Sequence, residues 1–403
     1  MVEHISGQMV HDLLVSGDHD DRARQEFAMD LKAFTQNALL PGLEPVYGGR
    51  VAKKFEKDHC RPPEDRHDIR KGMVEDPYFQ TYVMTNRVAQ EFIWSAVQAP
   101  IERDFDAINE KASALSRSAN APLESSQDFD VPRYVSAIDI HCMPGGYATA
   151  ESASDVSAGA LYDRGVYLYS MGMMGPKNDD MGRSVCHYIQ RNLSDFRPTS
   201  ILDMGCTVGH STLPYKEIFP DAEVIGIDVG GPCIRYAHAR AVAMGLDVGF
   251  MQRDASQTGL ADESFDLIVS HILLHETSGK AMPEVFKECH RLLKPGGYMI
   301  HADLPPFLKM GAFKQFILDN ETYYNNEPFW GAMRDLDQEK MAQDAGFAAD
   351  TVRFDTAAMA ILEQFAMAAP EPTAETSGDD DNFAAGEFAP GGGWEVLIAR
   401  KEA

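Results

Sequence analysis

From residue 198 onward, short continuous apolar runs alternate with segments of helical period. Ile201-Leu202, Val224-Ile225 and Leu267-Ile268-Val269 sit in runs of strand length, each followed by turn residues. Runs of this kind predict strands covered on both faces, as in a parallel sheet. Strands are predicted over 200–204, 223–228, 248–253, 265–271, 297–303, 350–355 and 394–400. Helices are predicted over 210–218, 232–244, 281–293 and 337–345. This alternation predicts an α/β fold: a Rossmann-like, doubly wound, seven-stranded sheet. A further helix is expected near 357–367, then a Pro-, Gly- and acid-rich loop over 370–393.

The first half has a different texture. Apolar positions at Phe27, Leu31, Phe34 and Leu39 predict a helix over 24–40, ended by Pro41-Gly42. A broad stripe from Tyr82 to Val97 predicts another over 78–101, and 101–118 continues as a charged surface helix. Residues 120–132 are polar and turn-rich and read as a linker. The expected organisation is a mainly helical N-terminal domain, 1–195, and a sheet domain, 196–403. An aromatic-rich insertion over 305–334 interrupts the second domain.

Charge narrows the partners. Asp and Glu number 62 against 36 Lys and Arg, a net charge of −26. Such a field repels phosphate backbones, so nucleic acid is not expected as a partner. No run of about 18 apolar residues predicts a membrane span. The six cysteines form no Cys-x-x-Cys pair, and the N-terminus lacks the charged-then-apolar pattern of a signal peptide. A cytoplasmic protein is expected, with a homodimer as the candidate assembly.

The chemistry concentrates in Ile201-Leu202-Asp203-Met204-Gly205-Cys206-Thr207-Val208-Gly209. A strand ends in a carboxylate and turns sharply through two glycines into a helix. Glycine allows positive φ and close approach of a ligand. One βα unit later, Asp228 ends the next strand, where a carboxylate can accept both hydroxyls of a ribose. Asp254 follows the third strand. The glycine spacing differs from the Gly-x-Gly-x-x-Gly of dinucleotide sites, which disfavours a redox enzyme.

With these motifs in order, residues 198–304 resemble the class I S-adenosylmethionine-dependent methyltransferases of small-molecule type, similar to the quinone-biosynthesis enzymes. Phe265 to His271 resembles the family's fourth strand, and Lys294-Pro295-Gly296-Gly297 the turn before its fifth. Thr207 stands where the strictest form has a glycine. The resemblance implies S-adenosylmethionine as cofactor, held by Asp203, Gly205, Cys206, Gly209, Asp228, Val229, Asp254, Ala255 and Ser270. It also implies methyl transfer to a small-molecule acceptor.

His275, Glu276 and His271 follow the fourth strand and are the catalytic candidates, since imidazole can take a proton near neutral pH. Tyr167, Tyr323, Tyr324, Trp330 and His301 are the acceptor-binding candidates. His301 and Asp303 are also expected as a buried pair. Oxygen is the first choice of acceptor atom, with sulfur, nitrogen and carbon open. No metal site is expected: His271 and His275 have helical spacing without a His-Glu-x-x-His pattern. The alternative is a module that binds S-adenosylmethionine as a sensor without turnover.

Overall fold

A computed structural model describes residues 4–5, 7–362 and 392–402. Its main sheet contains β1 (Leu123–Glu124), β2 (Ser200–Met204), β3 (Glu223–Asp228), β4 (Gly249–Gln252), β5 (Phe265–His271), β6 (Leu293–Asp303), β7 (Arg353–Ala358) and β8 (Gly393–Arg400). Their order is β1-β4-β3-β2-β5-β6-β8-β7. The first six are parallel. β8 runs antiparallel between β6 and β7. The chain winds outward from β2 to β4, returns to β5 and winds the other way. That reversal opens a crevice at the carboxyl ends of β2 and β5.

Alternation along each strand sends neighbours to opposite faces. Ile201, Val224, Leu267, Val269 and Ile300 join one core with Val185 and Ile189 of the helix Asp180–Asn192. Leu202, Ile225, Ile268 and Met299 join the other with Val285, Phe286 and Leu292 of the helix Met282–Leu292. Both faces are thus covered, which is why these strands read as unbroken apolar runs.

The N-terminal helices His19–Phe34, Pro77–Arg103 and Ser157–Tyr169 build a third core with the sheet-flanking helix Gly231–Ala243. Ala28, Trp94, Val97, Leu161, Leu168 and Tyr236 meet there. A buried carboxylate stitches this layer to the glycine turn. Asp163 Oδ1 accepts from His210 Nε2 at 2.8 Å and from Gln8 Nε2 at 3.1 Å. Its Oδ2 accepts from His11 Nε2 at 2.8 Å and from the Tyr236 hydroxyl at 2.7 Å. A fourth core joins Leu43, Ile69, Phe79 and Tyr82 to Phe316 of the 305–334 insertion. Trp330 and Met333, at the other end of that insertion, belong to the second sheet core.

Three expectations change. The sheet has eight strands among the described residues, because Leu123–Glu124, inside the expected linker, pairs with β4 as a parallel edge strand. Two residues are too few to show a period. β7 runs to Ala358, so the expected helix near 357–367 starts later: residues 360–362 are helical. The rest of that stretch, and the acidic loop except Gly392 and Gly393, lies outside the described residues. His301 and Asp303 do not pair with each other. They alternate along β6 and bond to different partners, as described below.

Candidate active site

The glycine turn follows β2. Gly205, Thr207 and Gly209 have φ of 74°, 46° and 76°. A Cβ on Gly205 would lie 2.7 Å from Leu273 Cδ1. Gly205→Ala is therefore expected to cost about 1–2 kcal/mol from the left-handed backbone alone. Urea denaturation at equilibrium measures this; an unchanged midpoint would contradict the geometry.

Asp203 acts beneath the turn. Its carboxylate accepts from Thr212 Oγ1 at 2.5 Å and from His271 Nδ1 at 3.2 Å. The Tyr215 hydroxyl lies 3.1 Å from His271 Nε2. The His271 ring lines the cleft, but both its nitrogens are engaged, so it has no free position for proton transfer. Cys206 joins the first sheet core. Ser270 Oγ bonds His301 Nδ1 at 2.6 Å. Burial pushes the His301 imidazole down to about 4, which keeps it neutral.

Asp228 faces the cleft. Its Oδ2 accepts from the Thr207 amide at 3.0 Å, and its Oδ1 from the Gly230 amide at 2.7 Å. Burial raises its carboxyl to about 6, against the opposing effect of those two amides. Asp254 Oδ1 accepts from the Ser256 amide and hydroxyl at 2.8 and 2.7 Å. The cleft is lined by Gly205, Thr207, Asp228, Val229, Asp254 and Ala255 on the sheet side. Tyr134, Tyr147 and Tyr162 of the N-terminal half close it from above, and Glu276 stands on its wall.

Behind Glu276 lies a buried polar chamber. His141 Nε2 reaches Glu276 Oε1 at 2.9 Å, and its Nδ1 reaches Glu327 Oε1 at 2.9 Å. The Tyr147 hydroxyl donates to Glu276 Oε1 at 3.0 Å, and Asn325 Nδ2 to Glu327 Oε1 at 2.6 Å. Burial works against the His141 charge, but Glu327 and Glu276 outweigh it and hold the imidazolium well above its ordinary range. His275 sits on the turn Leu274–Glu276 after β5. Its Nδ1 bonds Asp303 Oδ1 at 2.7 Å. Asp303 is itself fixed by the Leu274 and Leu304 amides, each at 2.8 Å. Burial disfavours the His275 imidazolium, yet the Asp303 charge and hydrogen bond raise it above the ordinary value. His275 Nε2 is buried without a hydrogen-bond partner, as are Glu276 Oε2 and Glu327 Oε2.

The expected acceptor-binding residues scatter. Trp330 meets His275 edge-on, 4.9 Å between ring centroids. Tyr324 packs on Phe79 in the fourth core, and Tyr323 is half exposed against the Arg70 guanidinium. Tyr167 lies over Arg164 and away from the cleft lining. His301 is enclosed by Ser270, Phe286 and Cys289. Sequence reasoning missed Glu327 and Asn325, because the insertion was read for its aromatics. Among the described residues, no group of three or more His, Cys, Asp or Glu side chains is arranged to hold a metal ion. Nor is any described helix long and apolar enough to cross a membrane.

A family model described as methyltransferase domain matches residues 201–297, which span β2 to the Gly296-Gly297 turn. This segment is a class I S-adenosylmethionine-dependent methyltransferase domain. The chain is 34% identical over 116 residues to a demethylmenaquinone methyltransferase of Thermus thermophilus, covering 29% of this chain and 51% of the relative. It is 28% identical over 166 residues to a malonyl-[acyl-carrier protein] O-methyltransferase of Dechloromonas aromatica, covering 38% and 56%. It is 29% identical over 149 residues to phosphoethanolamine N-methyltransferase 1 of Arabidopsis thaliana, covering 36% and 28%. The chain therefore spans about half the length of the first two and less of the third. The matched segment contributes the glycine turn, Asp228, Asp254 and His275, while Asp303 follows it at the end of β6. The roof of the cleft, and His141, come from outside it.

Proposed function

We propose that this protein is an S-adenosylmethionine-dependent methyltransferase acting on a small molecule. The cofactor would supply an electrophilic methyl group on a sulfonium. The residues present suit it. Gly205 and Gly209 leave the turn free of side chains, Asp228 offers its remaining lone pairs to a diol, and Asp254 Oδ2 is left for an amine or hydroxyl donor.

The observation that carries the reading is Glu276. It lines the cleft and also touches the buried chamber that holds His141, His275 and Glu327. One side chain thus lies between a nucleotide-type site and a buried imidazole. Asp303 fixes the His275 ring, so its Nε2 is placed to take a proton from an acceptor hydroxyl or amine. The relatives named above include both O- and N-methyltransferases, which supports transfer to an atom that gives up a proton. The N-terminal half supplies the acceptor wall through Tyr134, Tyr147 and Tyr162.

The test is calorimetric titration of S-adenosylmethionine and S-adenosylhomocysteine into the full chain, followed by assay of S-adenosylhomocysteine formation across hydroxyl and amine acceptors. Binding at micromolar concentration with turnover of some acceptor is the expected result. Absence of binding would end the methyltransferase reading. Binding without turnover of any acceptor would favour the sensor.

A further inference from the structure

Three buried polar atoms without partners lie behind the cleft: His275 Nε2, Glu276 Oε2 and Glu327 Oε2. His275 Nε2 lies 3.8 Å from Glu327 Oε2 and 4.0 Å from Glu276 Oε1. These separations are too long for direct hydrogen bonds and short enough for one small group to reach all three side chains. His275 and Glu327 are 2% and 1% exposed at their side chains, so bulk water does not satisfy them. Buried polar atoms of native proteins are paired, and His275 Nε2 facing Glu327 Oε2 with neither atom paired indicates an occupant.

Resting on the methyltransferase reading, we infer that this chamber is the acceptor subsite and that it takes a protonated amine. An ammonium group brings N–H donors for both His275 Nε2 and Glu327 Oε2, with a positive charge beside two carboxylates. A hydroxyl brings one donor and leaves one of that pair unpaired, a buried deficit that sites built for amines use to reject it. His141 already carries positive charge between the two glutamates, but it engages only their Oε1 atoms. Asn325 and Tyr147 also spend their donors on Oε1, so both Oε2 atoms remain for a ligand. The arriving cation disfavours the charged form of His275, leaving Nε2 as an acceptor. One N–H proton then passes to Nε2, and the electron pair of that bond stays on nitrogen as the nucleophile. The acceptor atom is accordingly nitrogen rather than the oxygen first expected from the sequence.

The experiment uses the full chain saturated with S-adenosylhomocysteine, and matched probes: ethylamine against ethanol, and benzylamine against benzyl alcohol. Binding is read by calorimetry and thermal shift at constant ionic strength. Each amine is expected to bind at least about tenfold more tightly than its alcohol, a modest margin for a charge-assisted site. Equal affinity, preference for the alcohols, or no amine binding to the S-adenosylhomocysteine complex would overturn the subsite while leaving the methyltransferase reading intact. Failure to bind S-adenosylhomocysteine would instead remove the reading on which it rests. Glu327→Gln keeps the shape and an acceptor for Asn325. It is expected to lose the amine preference about tenfold with cofactor affinity within twofold. An undiminished preference in this variant would also overturn the proposal. If Glu327→Gln does not bind the cofactor, the amine-against-alcohol comparison in the wild-type chain decides the proposal.

Discussion

Asp228→Ala is expected to weaken S-adenosylmethionine binding by at least about 100-fold, measured by calorimetry at pH 7.5. Hydrogen bonds to a buried carboxylate contribute about 1.5–3 kcal/mol each, and two ribose hydroxyls would be lost together. The substitution also releases the Thr207 amide, whose bond to Asp228 Oδ2 steadies a non-glycine residue at φ 46°. Near-normal affinity in Asp228→Ala would place the ribose elsewhere and remove the cofactor assignment.

The same residue sets a pH dependence. Burial raises the Asp228 carboxyl to about 6 from 3.8. Below that value the carboxylate is protonated and accepts less well, so affinity falls as pH drops through 6, by up to about tenfold per unit. Stability moves the opposite way. Between 3.8 and about 6 the folded chain keeps a proton that the unfolded chain has lost. The Asp228 contribution to stability therefore declines as pH rises across that window. Asp228→Asn is expected to bind weakly at every pH and to lose the slope. A wild-type affinity independent of pH from 5 to 7 would contradict the assignment.

His275→Asn is expected to lower kcat by about 100- to 10,000-fold, the range associated with a positioned proton acceptor. Asparagine can retain the donor that Nδ1 presents to Asp303 while removing Nε2. The cofactor affinity is therefore expected to stay within about twofold, since His275 does not line the cofactor cleft. Asp303→Asn acts through His275. It removes the carboxylate that orients the ring and is expected to lower kcat with a shifted pH profile. Loss of cofactor binding in His275→Asn would indicate collapse of the turn Leu274–Glu276, and unchanged kcat would exclude His275 as the base.

The two halves of the site differed in how far the sequence disclosed them. The cofactor side was legible because its requirements are local. A left-handed turn demands glycine at Gly205 and Gly209, and a strand end places Asp228 one βα unit away. The roles within that local set were less visible. Asp203 and His271 look like ligand-facing groups in sequence, yet they satisfy each other with Thr212 and Tyr215 beneath the turn. Cys206 turns into the core from the turn itself, and Ser270 does so because a strand sends alternate side chains to opposite faces.

On the acceptor side the sequence disclosed His275 and Glu276, which follow a strand end, but not what they meet. His141, Glu276 and Glu327 come from a loop, a post-strand turn and an insertion, separated by 135 and 51 residues. No periodicity links them. The aromatic content of the insertion pointed to Tyr323 and Tyr324, but those pack against helices of the N-terminal half. The polar Asn325-Asn326-Glu327 that follows them supplies the buried acid.

The sequence alone thus determined the parallel α/β core, the succession of its strands and helices along the chain and the glycine–carboxylate motif, since backbone geometry and burial act over a few residues at a time. Only the tertiary structure decided which carboxylates are spent on neighbours and which atoms remain unpaired. Folding takes charges out of water, and an unpaired buried oxygen or nitrogen then depends on chain segments that sequence distance does not reveal.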